Sequence, residues 1–407
     1  MNIVLSSSDE YAKYARILIM SLFATNVQYD ITIYYLHIGE KIEKLLKEYN
    51  EYAERYNGKV ISIKIPQKYF DSRINVKKWH PMTYARHSVY ELLPKDVDRV
   101  LMIANDMLIR GDLGELYFQD LGEAYVGMCP GRGTMTRPKL LELRNNELKK
   151  RGCLPVEYYY NPDMILADVN KMREGFSYSR MIELCVEKDF PSIDQMALCV
   201  LLRGKIKNIN DYRWNFVLIN ESRLEEIKDA IIVHYCDDNK AWENYGKNEI
   251  ISLWWDYAKK TQHYVEYLEN SAKLLTLKCE KINNWARHGN MNYLILDKLL
   301  IKNRNNENLG MELYEKGYKS IAVYGYGKLG EHFINAIQDS PVCIKYIIDK
   351  KKIEVSPNKL TITIDEFIGK YKKDIDLIIV TPVSYYEQIY NELRNFNIMI
   401  KSLEDVL

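Results

Sequence analysis

Four stretches of the 407-residue sequence gather side chains able to do chemistry: SSSDEYAKYA (6–15), TYARHSVYELLP (83–94), RVLMIANDMLIRGDLGELYFQDLG (99–122) and HYCDDNKAW (234–242). In the third, Asp106 directly follows an apolar run, and the fourth offers His234 with Lys240 shortly after it. Carboxylate and imidazole groups ligate divalent cations, and ammonium or guanidinium groups neutralise anions. Each group also has an ordinary structural use. Asn105-Asp106 can be a polar turn at a strand end, Arg86 can form a helix-surface salt bridge, and Asp194 in PSIDQMALCVLL (191–202) can cap an amphipathic helix. A separate signal lies far downstream. Gly325-Tyr326-Gly327-Lys328-Leu329-Gly330 follows an apolar run, and Asp349 ends the next one, which is the spacing of a dinucleotide fingerprint.

These groups need elements to hold them. Residues 2–6 (NIVLS) read as a buried strand entering a Ser/Asp loop, and Tyr11–Phe23 as an amphipathic helix with Ile17, Leu18 and Leu22 on its apolar face. ITIYYLHI (31–38), a Lys- and Glu-rich helix (41–56) and KVISIKI (59–65) continue the alternation, which predicts a mainly parallel sheet covered on both faces. Ligands of such sheets sit at the carboxyl ends of the strands, so the loops at Ser6–Tyr11 and after Leu101–Ile103 are expected to line the site. Beyond residue 250 the pattern turns to long helices, then to KNRNNEN (302–308), which reads as a linker. KSIAVYGYGKLG (319–330) reads as a strand ending in a glycine-rich turn, IKYIID (344–349) as a strand and DLIIVTPVSYY (376–386) as a strand and loop, which predicts a second α/β unit.

The order, spacing and flanking residues of the four segments resemble family 8 of the retaining glycosyltransferases, over about residues 1–250. The segments are similar to that family's start, its YAR helix, its DxD region and its HxxGxxKPW motif. The resemblance implies a GT-A nucleotide-sugar-binding domain at 1–250 with a mixed, mainly parallel sheet. A helical extension and linker (251–310) and a small Rossmann-like α/β domain (311–407) follow it. It implies transfer of a hexose, galactose before glucose, from a UDP-sugar to a glycan or glycoprotein. Asp106 and His234 match metal ligands, usually of manganese, and Lys240 matches the cation that meets the leaving diphosphate. Ser6, Ser8 and Tyr11 match the nucleoside cradle, with the tyrosine on uracil. Arg86 and Asn161 match sugar-pocket residues, and Asp194 with Gln195 matches the catalytic pair beside the transferred sugar.

Several positions depart from the family. Ala104 stands where the first aspartate of the DxD pair belongs, so a metal would need Asn105, water, Asp237 or the diphosphate to complete its ligands. Asp237 and Ala241 replace a glycine and a proline, Ser8 replaces an acidic residue, and Pro162-Asp163 replace Ala-Gly after Asn161. Ala104 is also the one argument for a UDP-sugar-binding pseudoenzyme. A nucleotide-dependent oxidoreductase or epimerase centred on the C-terminal glycine loop would need a full second half-fold and a Tyr-Lys pair, which the remaining sequence does not offer.

Totals bound the rest. With 57 basic and 56 acidic residues there is no global field to attract a polyanion, so no nucleic-acid partner is expected. Seven scattered cysteines without a CxxC pair suggest neither a disulfide framework nor a zinc site. The short apolar start and the lack of a membrane-length apolar stretch point to the cytoplasm, with at most peripheral membrane association. The C-terminal unit is expected to serve structure or protein contacts.

Overall fold

The computed structural model describes all residues except 40–41, 77–78, 220–221, 223, 306, 357–358, 371–373 and 397. The chain forms two compact units, Met1–Leu275 and Thr276–Leu407, which divide inside a single helix, Tyr264–Arg304.

In the first unit, strands β1 (Asn2–Ser7), β2 (Thr32–His37), β3 (Lys59–Lys64), β4 (Arg99–Ile103), β6 (Val126–Pro130), β7 (Tyr160–Asp168) and β8 (Ile206–Asn208) form one sheet in the order β3-β2-β1-β4-β7-β6-β8. Only β7 runs against its neighbours. Two-residue alternation sends Ile3, Leu5, Ile33, Leu101 and Ile103 into one core and Val4, Leu36, Val100 and Met102 into another. Both faces of the sheet are therefore buried, as the alternation of strands and helices predicts.

A small second sheet, β5-β10-β9, is built from β5 (Met107–Ile109), β9 (Phe216–Val217) and β10 (Ile232–His234). Between the two sheets lies the helix Ala15–Thr25, which is buried nearly all round. Ile17 meets the aromatic core of Trp242, Trp254, Trp255 and Tyr267, while Leu18, Ile19 and Leu22 meet the large sheet. This corrects the expected amphipathic helix over Tyr11–Phe23. The segment is two helices, Asp9–Ala12 and Ala15–Thr25, and the second lacks a polar face because it is covered on two sides.

The second unit carries four parallel strands, β11 (Ser320–Tyr324), β12 (Cys343–Ile348), β15 (Leu377–Val380) and β16 (Met399–Ser402), in the order β12-β11-β15-β16. A minor hairpin joins β13 (Glu354–Ser356) to β14 (Lys359–Leu360). Among the described residues of KNRNNEN, Lys302 binds Glu307 and Glu312 at 3.0 and 2.8 Å, and Asn308 caps the helix Leu309–Glu315. The polar composition thus serves a helix end and a capped turn. No helix among the described residues is long and apolar enough to cross a membrane.

Candidate active site

β4 is apolar from Val100 to Ile103, where it lies between two cores, and it ends where Ala104-Asn105-Asp106 leaves the sheet. The chain then enters β5, which pairs antiparallel with β10 so that Met107 faces His234. Tyr235 N donates to Asp106 O at 2.8 Å, which locks the two segments together. His234 Nε2 consequently lies 3.4 Å from Asp106 Oδ1, and the Lys240 ammonium bonds Asp106 Oδ2.

The turn that returns Lys240 to the site needs a left-handed residue. Asp237 has φ +49°, at the position where the resembling family has glycine. Aspartate tolerates this region better than most residues, so the loop keeps its path despite the substitution.

Across the sheet, β7 is the antiparallel partner of β4, and Ala104 N donates to Asp163 O at 2.9 Å. The Asp163 carboxylate faces two ways. Its Oδ1 accepts from Arg86 Nη1 at 2.9 Å, and its Oδ2 lies 3.7 Å from His234 Nε2. Arg86 reaches Asp194 Oδ2 with its other terminal nitrogen, also at 2.9 Å, and His87 Nε2 meets the same oxygen at 3.1 Å. Asp194 lies within the first turn of the helix Ile193–Leu201, whose N-cap is Ser192, so its carboxylate is not the cap. Its Oδ1 accepts from Gln195 N, while Gln195 Nε2 donates to Tyr160 O at 2.6 Å.

A chain of amides orients the histidine. Asn161 Oδ1 accepts from Asp163 N at 2.9 Å and from Asn215 Nδ2 at 3.1 Å, and Asn215 Oδ1 accepts from His234 Nδ1 at 3.1 Å. This contact turns the other ring nitrogen, Nε2, toward the Asp106 and Asp163 carboxylates. That atom is fully buried, lacks a hydrogen-bond partner, and faces the two carboxylates.

The electrostatics follow from burial and pairing. Burial opposes charge on Asp106, but Lys240 and His234 outweigh it and hold the carboxyl well below the usual range. Burial likewise opposes charge on His234, yet Asp106 and Asp163 raise its pKa. Lys240 is raised by Asp106 and Asp163 against the burial penalty. Asp194 is lowered, because Arg86 and His87 overcome its desolvation, whereas burial lowers His87 and keeps it neutral.

Other expected residues sit close by in sequence but make different contacts. Asn105 turns its amide nitrogen to Tyr35 Oη at 3.3 Å, and that hydroxyl also meets Ser7 Oγ at 2.8 Å. Its Oδ1 is buried without a partner. Ser6 ends up half-buried in β1, and Ser8 is buried where the strand turns into the helix Asp9–Ala12. Tyr11 is 42% exposed and lies edge-on to Tyr14 and Trp242, which stack with their centroids 4.1 Å apart. The structure thus joins Arg86, Asp106, Asn161, Asp194, Gln195, His234 and Lys240 in one network. Ser6, Ser8 and Asn105 belong to the neighbouring strand ends, and Tyr11 to the helix Asp9–Ala12. Asp163, Asn215 and His87 were missed by sequence reasoning. Among the described residues, no group of three or more His, Cys, Asp or Glu side chains is gathered closely enough to hold a metal ion by itself.

Comparison with known proteins bears on the family and the fold. The family profile described as glycosyl transferase family 8 matches residues 2–246. A glycosyltransferase-named protein of Haemophilus influenzae is 28% identical over 253 residues, covering 60% of this chain and 73% of that protein. Glycosyltransferase GlyE of Streptococcus pneumoniae is 22% identical, with 58% of each chain covered. Among solved structures, galactosyltransferase LgtC in complex with donor and acceptor sugar analogues superposes with a TM-score of 0.52 at 21% identity. That match covers 64% of this chain and 96% of LgtC, and it shows a shared GT-A fold.

Proposed function

The chain belongs to glycosyl transferase family 8, and from that premise we propose that it moves a hexose, galactose before glucose, from a UDP-sugar to an acceptor glycan or glycoprotein with retention of configuration. The observation that carries this reading is the buried, unpartnered Nε2 of His234 between the Asp106 and Asp163 carboxylates, beside the Lys240 ammonium. Imidazole nitrogen and carboxylate oxygen are ligands that suit manganese, so the residues present fit a divalent cation completed by diphosphate oxygens. When bound, that cation supplies Lewis-acid stabilisation of the departing UDP.

The remaining steps fall to side chains. Lys240 exchanges Asp106 for the diphosphate and stabilises the charge that develops as the glycosidic bond breaks. Asp194 accepts hydrogen bonds from sugar hydroxyls, with its carboxylate fixed by Arg86 and His87. Gln195, tethered through its amide nitrogen, sets its carbonyl against the electron-poor anomeric centre. Tyr11 supplies an exposed ring for the uracil, and Ser6 and Ser8 supply polar groups for the nucleoside. The helices Arg132–Thr136 and Pro138–Lys150 form a wall of the acceptor cleft.

Incubating the full chain with UDP-galactose, UDP-glucose and UDP-amino-sugars in manganese, and measuring free UDP, tests this reading. Release from UDP-galactose first and UDP-glucose second is expected. Release confined to a UDP-amino-sugar contradicts the donor, and no release from any donor contradicts the transfer.

A further inference from the structure

Ala104 leaves the strand-end motif one carboxylate short, and the residue facing it across the sheet brings one in. We propose that Asp163 is a cation ligand of this site: an ion held by the diphosphate would draw its Oδ2 together with Asp106 Oδ1 and His234 Nε2, which are not gathered closely enough to hold one by themselves. This inference rests on the metal-dependent diphosphate reading above.

Three observations support it. First, the backbone bond from Ala104 N to Asp163 O makes the two residues direct cross-strand partners. Side chains at such positions leave the sheet on the same face, about 4.5–5.5 Å apart at Cβ, so a carboxylate can be moved from one strand to the other with little displacement. Second, the two oxygens of Asp163 have different work. Oδ1 is held by Arg86 at 2.9 Å, which fixes the carboxylate plane, while Oδ2 is 3.7 Å from the unpartnered Nε2 of the fully buried His234. That nitrogen makes no hydrogen bond to either carboxylate, and a cation between them would give it a partner. Third, the supports of both ligands are one unit. Asn161 Oδ1 receives Asp163 N and Asn215 Nδ2, and Asn215 Oδ1 receives His234 Nδ1, so the backbone that carries Asp163 and the ring that carries Nε2 are set by the same two amides. Outer contacts of this kind are how protein metal sites fix their ligands.

The test uses Asp163→Asn in the full chain, because asparagine keeps an acceptor for Arg86 and removes the charge. Manganese binding is read from the electron paramagnetic resonance signal of the free ion, with UDP present, and UDP binding is read by calorimetry with and without manganese. The inference predicts that Asp163→Asn weakens manganese binding by at least about tenfold, while metal-free UDP binding stays within about twofold. It further predicts that Ala104→Asp in the Asp163→Asn background restores most of the lost affinity, whereas Ala104→Asp alone adds little, since it places two like charges side by side. Unchanged manganese affinity in Asp163→Asn overturns the inference while leaving the function reading intact. Failure of the second substitution to rescue, with thermal unfolding unchanged, also overturns it. If the unaltered chain binds UDP without any response to manganese, the metal reading itself fails, and this inference falls with it.

Discussion

Two places in the chain carry motifs expected of a nucleotide site, and they use their carboxylates in opposite ways. In the C-terminal unit, Asp349 closes the glycine loop from within. Its Oδ2 accepts from Tyr326 N at 2.8 Å and its Oδ1 from Lys351 N at 3.2 Å. The loop glycines are needed by the turn itself. Gly325 has φ +97°, and a Cβ on Gly330 would lie 2.1 Å from Gly325 O. In the N-terminal unit, by contrast, the carboxylates of Asp106, Asp163 and Asp194 are held by side chains, and the histidine among them keeps an unpartnered nitrogen. A motif whose polar groups satisfy one another explains its own geometry. A cluster held in place around an unmatched group calls for a ligand.

The largest effect that can separate the two is on catalysis. Asp106→Asn is expected to lower sugar transfer by at least about 10³-fold, comparable to or beyond the loss of one transition-state donor elsewhere. Asp349→Asn is expected to leave transfer unchanged and to cost the C-terminal unit about 1 kcal/mol through the weakened loop contacts. Parallel initial rates and denaturant titrations of both variants check this. An equal loss of transfer in Asp349→Asn would break the contrast.

A second effect is on stability. Arg86 joins two carboxylates and is itself buried, so Arg86→Met leaves Asp194 and Asp163 without their shared cation. Breaking a buried pair in this way costs about 3–5 kcal/mol, seen as an earlier thermal midpoint. Arg86→Lys is expected to recover little of it, because a single ammonium cannot span both carboxylates as the guanidinium fork does.

The pH response sharpens the contrast further. Asp106 and Asp194 have pKa values lowered below the ordinary 3.8. Their stabilising contribution is fully present above that value and is lost as pH falls through the folded-state pKa values. The lowered glutamates of the C-terminal unit, Glu307, Glu331 and Glu366, pair with lysines on its surface, where water screens them. Below about pH 3.8, the fluorescence of the core tryptophans Trp214, Trp242, Trp254 and Trp255 is therefore expected to report loss of the N-terminal unit. Hydrogen exchange at β11 and β15 should change less. Loss of both units in one step at a higher pH would contradict this.

Much of the site was legible because its residues sit at strand ends or in helix starts that local pattern reveals. Asp106 follows a strand marked by four consecutive apolar residues, and Asp194-Gln195 opens a helix. Asp163 was seen only as a departure from an Ala-Gly pair. Its role depends on β4 and β7 lying side by side in antiparallel register, which no spacing along the chain expresses. The signal was a carboxylate gained at 163 together with one missing at 104. Asn215 gave no signal, since an asparagine beside a two-residue strand looks like any turn. The helix Ala15–Thr25 was misread because burial between two sheets erases amphipathic periodicity.

Amide hydrogen exchange of the full chain, with and without UDP and manganese, tests the central claim most directly, because it reads both units in one experiment. Slower exchange is predicted across residues 8–12, 104–108 and 233–241, with residues 325–331 unchanged. Protection confined to 325–331 would place the nucleotide in the C-terminal unit and contradict the assignment of the donor site to Asp106, His234 and Lys240.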